Sequence, residues 1–229
     1  MEKILHFPQN YTAKKMRIDN CIKICYTGYR IRSTDIVQYG KVWNFMQTIF
    51  TAADILLPDF TETNAYQWSV IACDQFTSQP EYWEKAYELA GDAPSCLHIV
   101  LPEVYLETGG SEGKVEAINM NMSRYLSEGI FKEYKNSMIL TERVLSNGKC
   151  RRGIGAFALD EYSYEQGTKP YIRPTEGTVL SRIPPRVEIR KDAPLELPHI
   201  MVLMDDKKRE IMEGIDTSRL QLLYDFELM

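Results

Sequence analysis

Four arginines, Arg173, Arg182, Arg186 and Arg190, fall in the stretch YIRPTEGTVLSRIPPRVEIRK (171–191), along with Glu176, Gly177 and Thr178. Guanidinium forks match the oxygens of phosphate or carboxylate bidentately. Thr178 is a good N-cap for a short helical turn over 178–183. The free N–H groups of such a turn attract anions. Arg182, four residues on, lies on the same side of the turn, and Arg173 and Arg186 can close around it. Gly177 lets the backbone approach a ligand. Glu176 is then the natural acid or base. Pro184 and Pro185 are expected to end the turn, because a residue before proline avoids helical backbone. The plain alternative is a solvated loop in which Glu176, Glu188 and Asp192 pair with the arginines. Surface pairs of that kind contribute about 0–1 kcal/mol each.

A second group follows an apolar run in ACDQFTSQPEYWE, where Asp74 stands at a strand end, a common position for a ligand-facing side chain. Asp74 is equally at home as the start of a turn. Cys73 is a poor nucleophile in this setting, since apolar neighbours raise a thiol's pKa and no histidine is near in sequence. His98 and His199 sit in apolar runs and read as hydrogen-bonded core residues. Asp205 and Asp206 have oxygen ligands suited to Mg²⁺ but read first as a turn. Arg151 and Arg152 read as a solvated strand end. No Walker loop, GxGxxG, HExxH or GxSxG is present.

These groups need elements to hold them. ADILLPDF (53–60) is a short apolar run ended by proline. WSVIACDQF (68–76) reads as a buried strand entering a loop, and SCLHIVLPEVYL (95–106) as another strand, stopped at Pro102. Between them, Ser78 and Glu81 have capping-box spacing before a helix over 80–90 that stops at Gly91. A helix over 112–128 carries Val115, Ile118, Met122, Tyr125 and Leu126 on one stripe, with Gly129 as terminator. Asn147-Gly148 between two strand-like runs is the strongest two-residue hairpin signal in the chain. LPHIMVLMDD (197–206) reads as a strand and 207–223 as helix-like. The fold class is therefore α+β, a mixed sheet with an antiparallel hairpin and helices packed on it.

The chain of 229 residues has 44% hydrophobic and 26% charged residues, enough for a core without disulfides or metal. Its net charge of −5 gives no nucleic-acid footprint. Residues 1–50 hold eight basic and three acidic side chains, leaving 19 basic and 29 acidic in the remainder. That break marks 1–48 as an atypical leader, outside the fold of a single α+β domain over 49–229. The five cysteines (21, 25, 73, 96 and 150) form no CxxC pair, which argues against structural zinc. Residues 1–20 lack the apolar stretch of a signal peptide, and 42–53 is too short and polar to span a membrane. A cytoplasmic protein is the expectation.

The phrases ADILLP, WSVIACDQFTSQPEYWE, IVLPEVYLE, RRGIGAFALDEYSY and IRPTEGTVLSRIPPRVEIRKDAPLELPHIMVLMDD resemble the bacterial and archaeal family catalogued as domain of unknown function 1015. The resemblance covers about residues 50–229 and implies the N-terminal half of a longer family pattern, truncated on its C-terminal side. It carries no established activity. Residues 176–186 also resemble, at the level of fold analogy, the acidic-plus-arginine nucleotide loop of ParB/sulfiredoxin-type proteins, some of which are small-molecule kinases. That likeness implies a phosphate site at Glu176, Thr178, Arg182 and Arg186. Together with Arg173 and Asp74, read from the residues themselves, it makes a small-molecule kinase-like enzyme using Mg²⁺ and ATP one expectation. Two alternatives stand: a ligand- or protein-binding module without turnover, and an inactive piece of a longer protein. Oligomeric state is not legible.

Overall fold

The computed structural model describes residues 2–6, 30–32, 50–108, 113–158, 165, 167–173, 177, 179–197 and 200–226. The strands are β1 (Glu2–His6), β2 (Arg30–Arg32), β3 (Phe50–Thr51), β4 (Ala53–Pro58), β5 (Phe131–Ser137), β6 (Ile139–Val144), β7 (Cys150–Gly155), β8 (Phe157–Ala158) and β9 (Gln221–Phe226). The helices are α1 (Ala65–Trp68), α2 (Pro80–Ala90), α3 (Val104–Thr108), α4 (Lys114–Ser127) and α5 (Ile183–Lys191), with 3-10 turns at Cys96–Ile99, Leu180–Arg182 and Thr217–Arg219. Five strands form one sheet in the order β1-β9-β2-β6-β7, in which β1 and β2 run parallel and β6 and β7 antiparallel. β4 pairs with β5 and β3 with β8, both antiparallel. This is an α+β fold.

A strand buried on both faces is apolar at successive positions instead of alternate ones. β4 is such a strand. Its Leu56 joins a core with Trp68, Ile99, Ile118, Met122 and Tyr125. Its Ala53, Ile55 and Leu57 point the other way, onto Ile139 of β6. The helical stripe read for 112–128 is the buried face of α4, through Ile118, Met122 and Tyr125. Burying Ile118 and Met122 contributes roughly 1.5–3 kcal/mol each. α2 buries Trp83 and Ala90 against Leu97 and Val104.

Several elements differ from the expectations. Residues 68–76 are not a strand: Trp68 closes α1, whose cap is Asn64, its side chain accepting from the Tyr66 amide at 2.9 Å. The run 95–106 is a 3-10 turn capped by Ser95, followed by α3, with Pro102 between them. An apolar run alone cannot distinguish strand from short helix. α2 keeps its expected bounds, but its N-cap is Gln79 with no side-chain cap bond, so Ser78 and Glu81 form no capping box. Pro80, at the first turn, removes one of the orphan donors there and brings a φ already set for a helix start.

The hairpin at Asn147-Gly148 is present with a different loop. The amide of Leu145 donates to the Lys149 carbonyl and that of Gly148 to the Leu145 carbonyl, both at 2.9 Å. Gly148 has φ +78°, so the loop has three residues and a left-handed glycine, a G1-bulge turn. Residues 200–206 pair with no strand among the described residues, and Ile200, Met201 and Leu203 are exposed. The stretch 207–223 is a set of turns and a 3-10 turn leading into β9, not a helix. Pro184 and Pro185 begin α5 and do not close a turn before it.

Candidate functional site

The start of α5 supplies the arginines. Arg182 ends the 3-10 turn and Arg186 lies one helical turn later, so both project from the same side. Facing them is Glu103, the residue before α3. Arg182 donates from Nη1 to Glu103 Oε2 at 2.7 Å, and Arg186 donates from Nη2 to Glu103 Oε1. The Glu103 side chain is only 5% exposed, whereas those of Arg182 and Arg186 are 29% and 47% exposed. A buried carboxylate is costly unless paired, and here two cations meet one anion. The trio therefore carries a net charge of +1, held at its inner end by Glu103 and open to solvent at Arg186. Arg190, on the same face of α5, pairs with Glu196.

The 73–79 loop abuts this trio. The Glu103 amide donates to the Cys73 carbonyl at 2.8 Å. Burial first, then the charges of Asp74 and Cys96, pushes the Cys73 thiol up to about 11, while Arg186 acts in the opposite direction. Such a thiol stays protonated near neutral pH and is a poor nucleophile. Asp74 and Arg186 both act electrostatically on Cys73. Asp74 is exposed, and its carboxylate accepts from Gln75 Nε2 at 3.2 Å.

Arg182, Arg186 and the Asp74 loop are thus brought together. Arg173 stands apart from the trio's hydrogen bonds: it is exposed and its Nε donates to the Pro170 carbonyl at 3.3 Å. Glu176 and Thr178 lie outside the described residues, as does His199. Gly177 is exposed, and among the described residues a Cβ there would meet nothing within 4 Å. Glu103 was missed by sequence reasoning. Its signal was a lone carboxylate inside an otherwise buried apolar run, where a partner cation is obligatory.

The other candidates fall into structural roles. His98 shares a hydrogen bond with the Tyr125 hydroxyl at 3.0 Å, as a core histidine should. Asp206 accepts from the amides of Glu210 and Ile211 and fixes a turn. Arg152 is not a solvated strand end: its Nε donates to buried Glu142 at 2.8 Å and its Nη1 to the Met212 carbonyl at 3.0 Å. Among the described residues no group of three or more His, Cys, Asp or Glu is arranged to hold a metal, and no helix is long and apolar enough to cross a membrane. A cleft of about 690 Å³ between α4 and α5 is lined by Glu116, Glu188, Asp192 and Lys191. At 100° per residue those α5 positions lie opposite Arg186, and three carboxylates against one lysine repel a phosphate.

The family model described as "Protein of unknown function (DUF1015)" matches residues 59–229, a span that includes Cys73, Asp74, Glu103, Arg182 and Arg186. No curated protein and no solved structure matches the chain.

Proposed function

The chain belongs to the DUF1015 family, and from that premise we propose that it binds a nucleotide or another phosphorylated small molecule at Arg182 and Arg186. One observation carries this reading: two arginines converge on a single buried carboxylate, and Arg186 keeps about half of its side chain in solvent. Glu103 presets the guanidiniums, so binding costs little side-chain entropy. The outward N–H groups of Arg186 meet phosphate oxygens, and the +1 charge of the trio favours the anion. Mg²⁺ travels on the phosphates and needs no more than about one or two protein carboxylates. Asp74 is suited to that role, or to accepting a proton from a substrate hydroxyl in a small-molecule kinase. In that transfer the hydroxyl oxygen bonds to the γ-phosphorus of ATP, its proton passes to Asp74, and the bond to the ADP oxygen breaks.

Thermal melts with ATP, ADP and pyrophosphate, each with and without Mg²⁺, test the reading. A ligand at 100 times its Kd stabilises by about 2.7 kcal/mol, which for a chain of this size is a shift of about 5–11 °C. The shift is expected to vanish in Arg186→Ala and to persist in Lys208→Ala, an exposed control. If no phosphate ligand moves the melt while Arg186→Ala lowers it, the trio is a latch between α5 and α3. The binding-module reading, favoured by the arginines already having a partner in Glu103, then stands.

A further inference from the structure

Phe76 follows Asp74 and Gln75 and has φ +51°. Bulky residues rarely occupy that left-handed region. The conformation turns a large aromatic ring into a position where 37% of the residue stays exposed. The ring is anchored from behind. Phe76 stacks on Tyr82 with centroids 4.2 Å apart and planes 23° from parallel, and Tyr82 meets the fully buried Trp83 edge-on at 5.2 Å and 89°. The Phe76–Tyr82 stack is thus backed edge-on by the buried Trp83 of α2, while Phe76 itself stays partly exposed.

A short loop ties that ring to the arginine trio. Phe76 is three residues from Cys73, so their Cα atoms are at most about 11 Å apart. The Cys73 carbonyl bonds the amide of Glu103, and Glu103 holds both arginines. An exposed ring within one short loop of a cationic trio matches the two ends of a nucleotide, a flat base and a charged phosphate.

We infer that Phe76, backed by Tyr82, is a stacking platform for the base of a nucleotide whose phosphates rest on Arg182 and Arg186. This rests on the phosphate-binding reading and narrows its ligand from any phosphorylated small molecule to a nucleotide. Stacking on an aromatic ring tolerates any base, so the platform selects a nucleotide without choosing which one.

Calorimetric titration of the full chain with ADP and, separately, with pyrophosphate tests it. Phe76→Leu keeps apolar volume and removes the aromatic face. A melting temperature within about 2 °C of the parent shows that the loop is intact. ADP is expected to bind the parent more tightly than pyrophosphate does. Phe76→Leu should weaken ADP by roughly 5- to 150-fold, the range set by base–aromatic stacking, and leave pyrophosphate unchanged. Phe76→Trp should restore ADP binding if Phe76→Leu alone perturbs the loop. Equal binding of ADP and pyrophosphate by the parent, or an ADP affinity unmoved by Phe76→Leu, overturns the platform and leaves the phosphate site standing. Absence of binding for both ligands overturns the platform and the phosphate site together.

Discussion

Replacing Glu103 by glutamine keeps the shape of the side chain and removes its charge. Arg182 and Arg186 are then left sharing one neutral acceptor where a carboxylate stood, 2.7 Å from Arg182 Nη1. Removing one partner of a buried ion pair costs about 3–5 kcal/mol. The arginines are 29% and 47% exposed and rehydrate in part, and the amide keeps one bond. About 2–3 kcal/mol is therefore expected, a fall in Tm of about 4–12 °C. Urea unfolding followed by the fluorescence of buried Trp68 and Trp83 measures it, in a cycle of Glu103→Gln, Arg186→Ala and the double variant. The coupling energy should be at least about 1 kcal/mol, because Arg186→Ala costs little once the carboxylate is gone. Effects that add to within about 0.5 kcal/mol would refute the claim that the guanidiniums rest on Glu103.

Burial, with Arg124 nearby, holds the His98 imidazole below its usual range, against a smaller upward pull from Asp92. The unfolded chain then takes up the proton first, so this contribution to stability is full above about pH 6.5 and is lost as pH falls through that value towards the folded pKa. Tm measured from pH 8 to 5 should fall more steeply in the parent than in His98→Gln, and parallel curves would show that His98 is not the group titrating. Gly148→Ala forces a side chain into φ +78° at the hairpin tip and should cost about 1 kcal/mol, or about 2–4 °C. An unchanged melt would mean that the three-residue loop is not formed in solution.

Elements with a long, regular pattern were legible in the sequence. The stripe of α4 and the glycine after it needed only a 3.6-residue period, and α2 needed only a proline at one end and a glycine at the other. Short apolar runs were not legible, because Trp68 and Leu97 are equally hydrophobic in a strand or in one helical turn. β5 escaped notice because FKEYKNS is mostly polar, with Phe131 and Tyr134 half-buried. Arg182 and Arg186 were singled out as guanidinium forks around a turn starting at Thr178, but their i, i+4 relation on one helix was hidden by the expectation that Pro184 and Pro185 end the turn between them. Glu103 was not, because its partners lie 79 and 83 residues away and only tertiary packing joins them. The prolines misled in an instructive way: the missing N–H that ends one helical turn is harmless at the start of the next.

β4 belongs to two cores at once, with Leu56 facing the helices and Ile55 and Leu57 facing the sheet. Neither layer can peel away without opening water-filled space on its side of that strand. The helical and sheet halves are thereby fused into one cooperative unit, and the amides of β4 that bond to β5 are protected from hydrogen exchange by global unfolding instead of local fraying. β4 and β5 are also far apart in sequence, Leu57 pairing with Lys132. That pairing closes a long loop, an entropic cost that is met before the contact contributes stability.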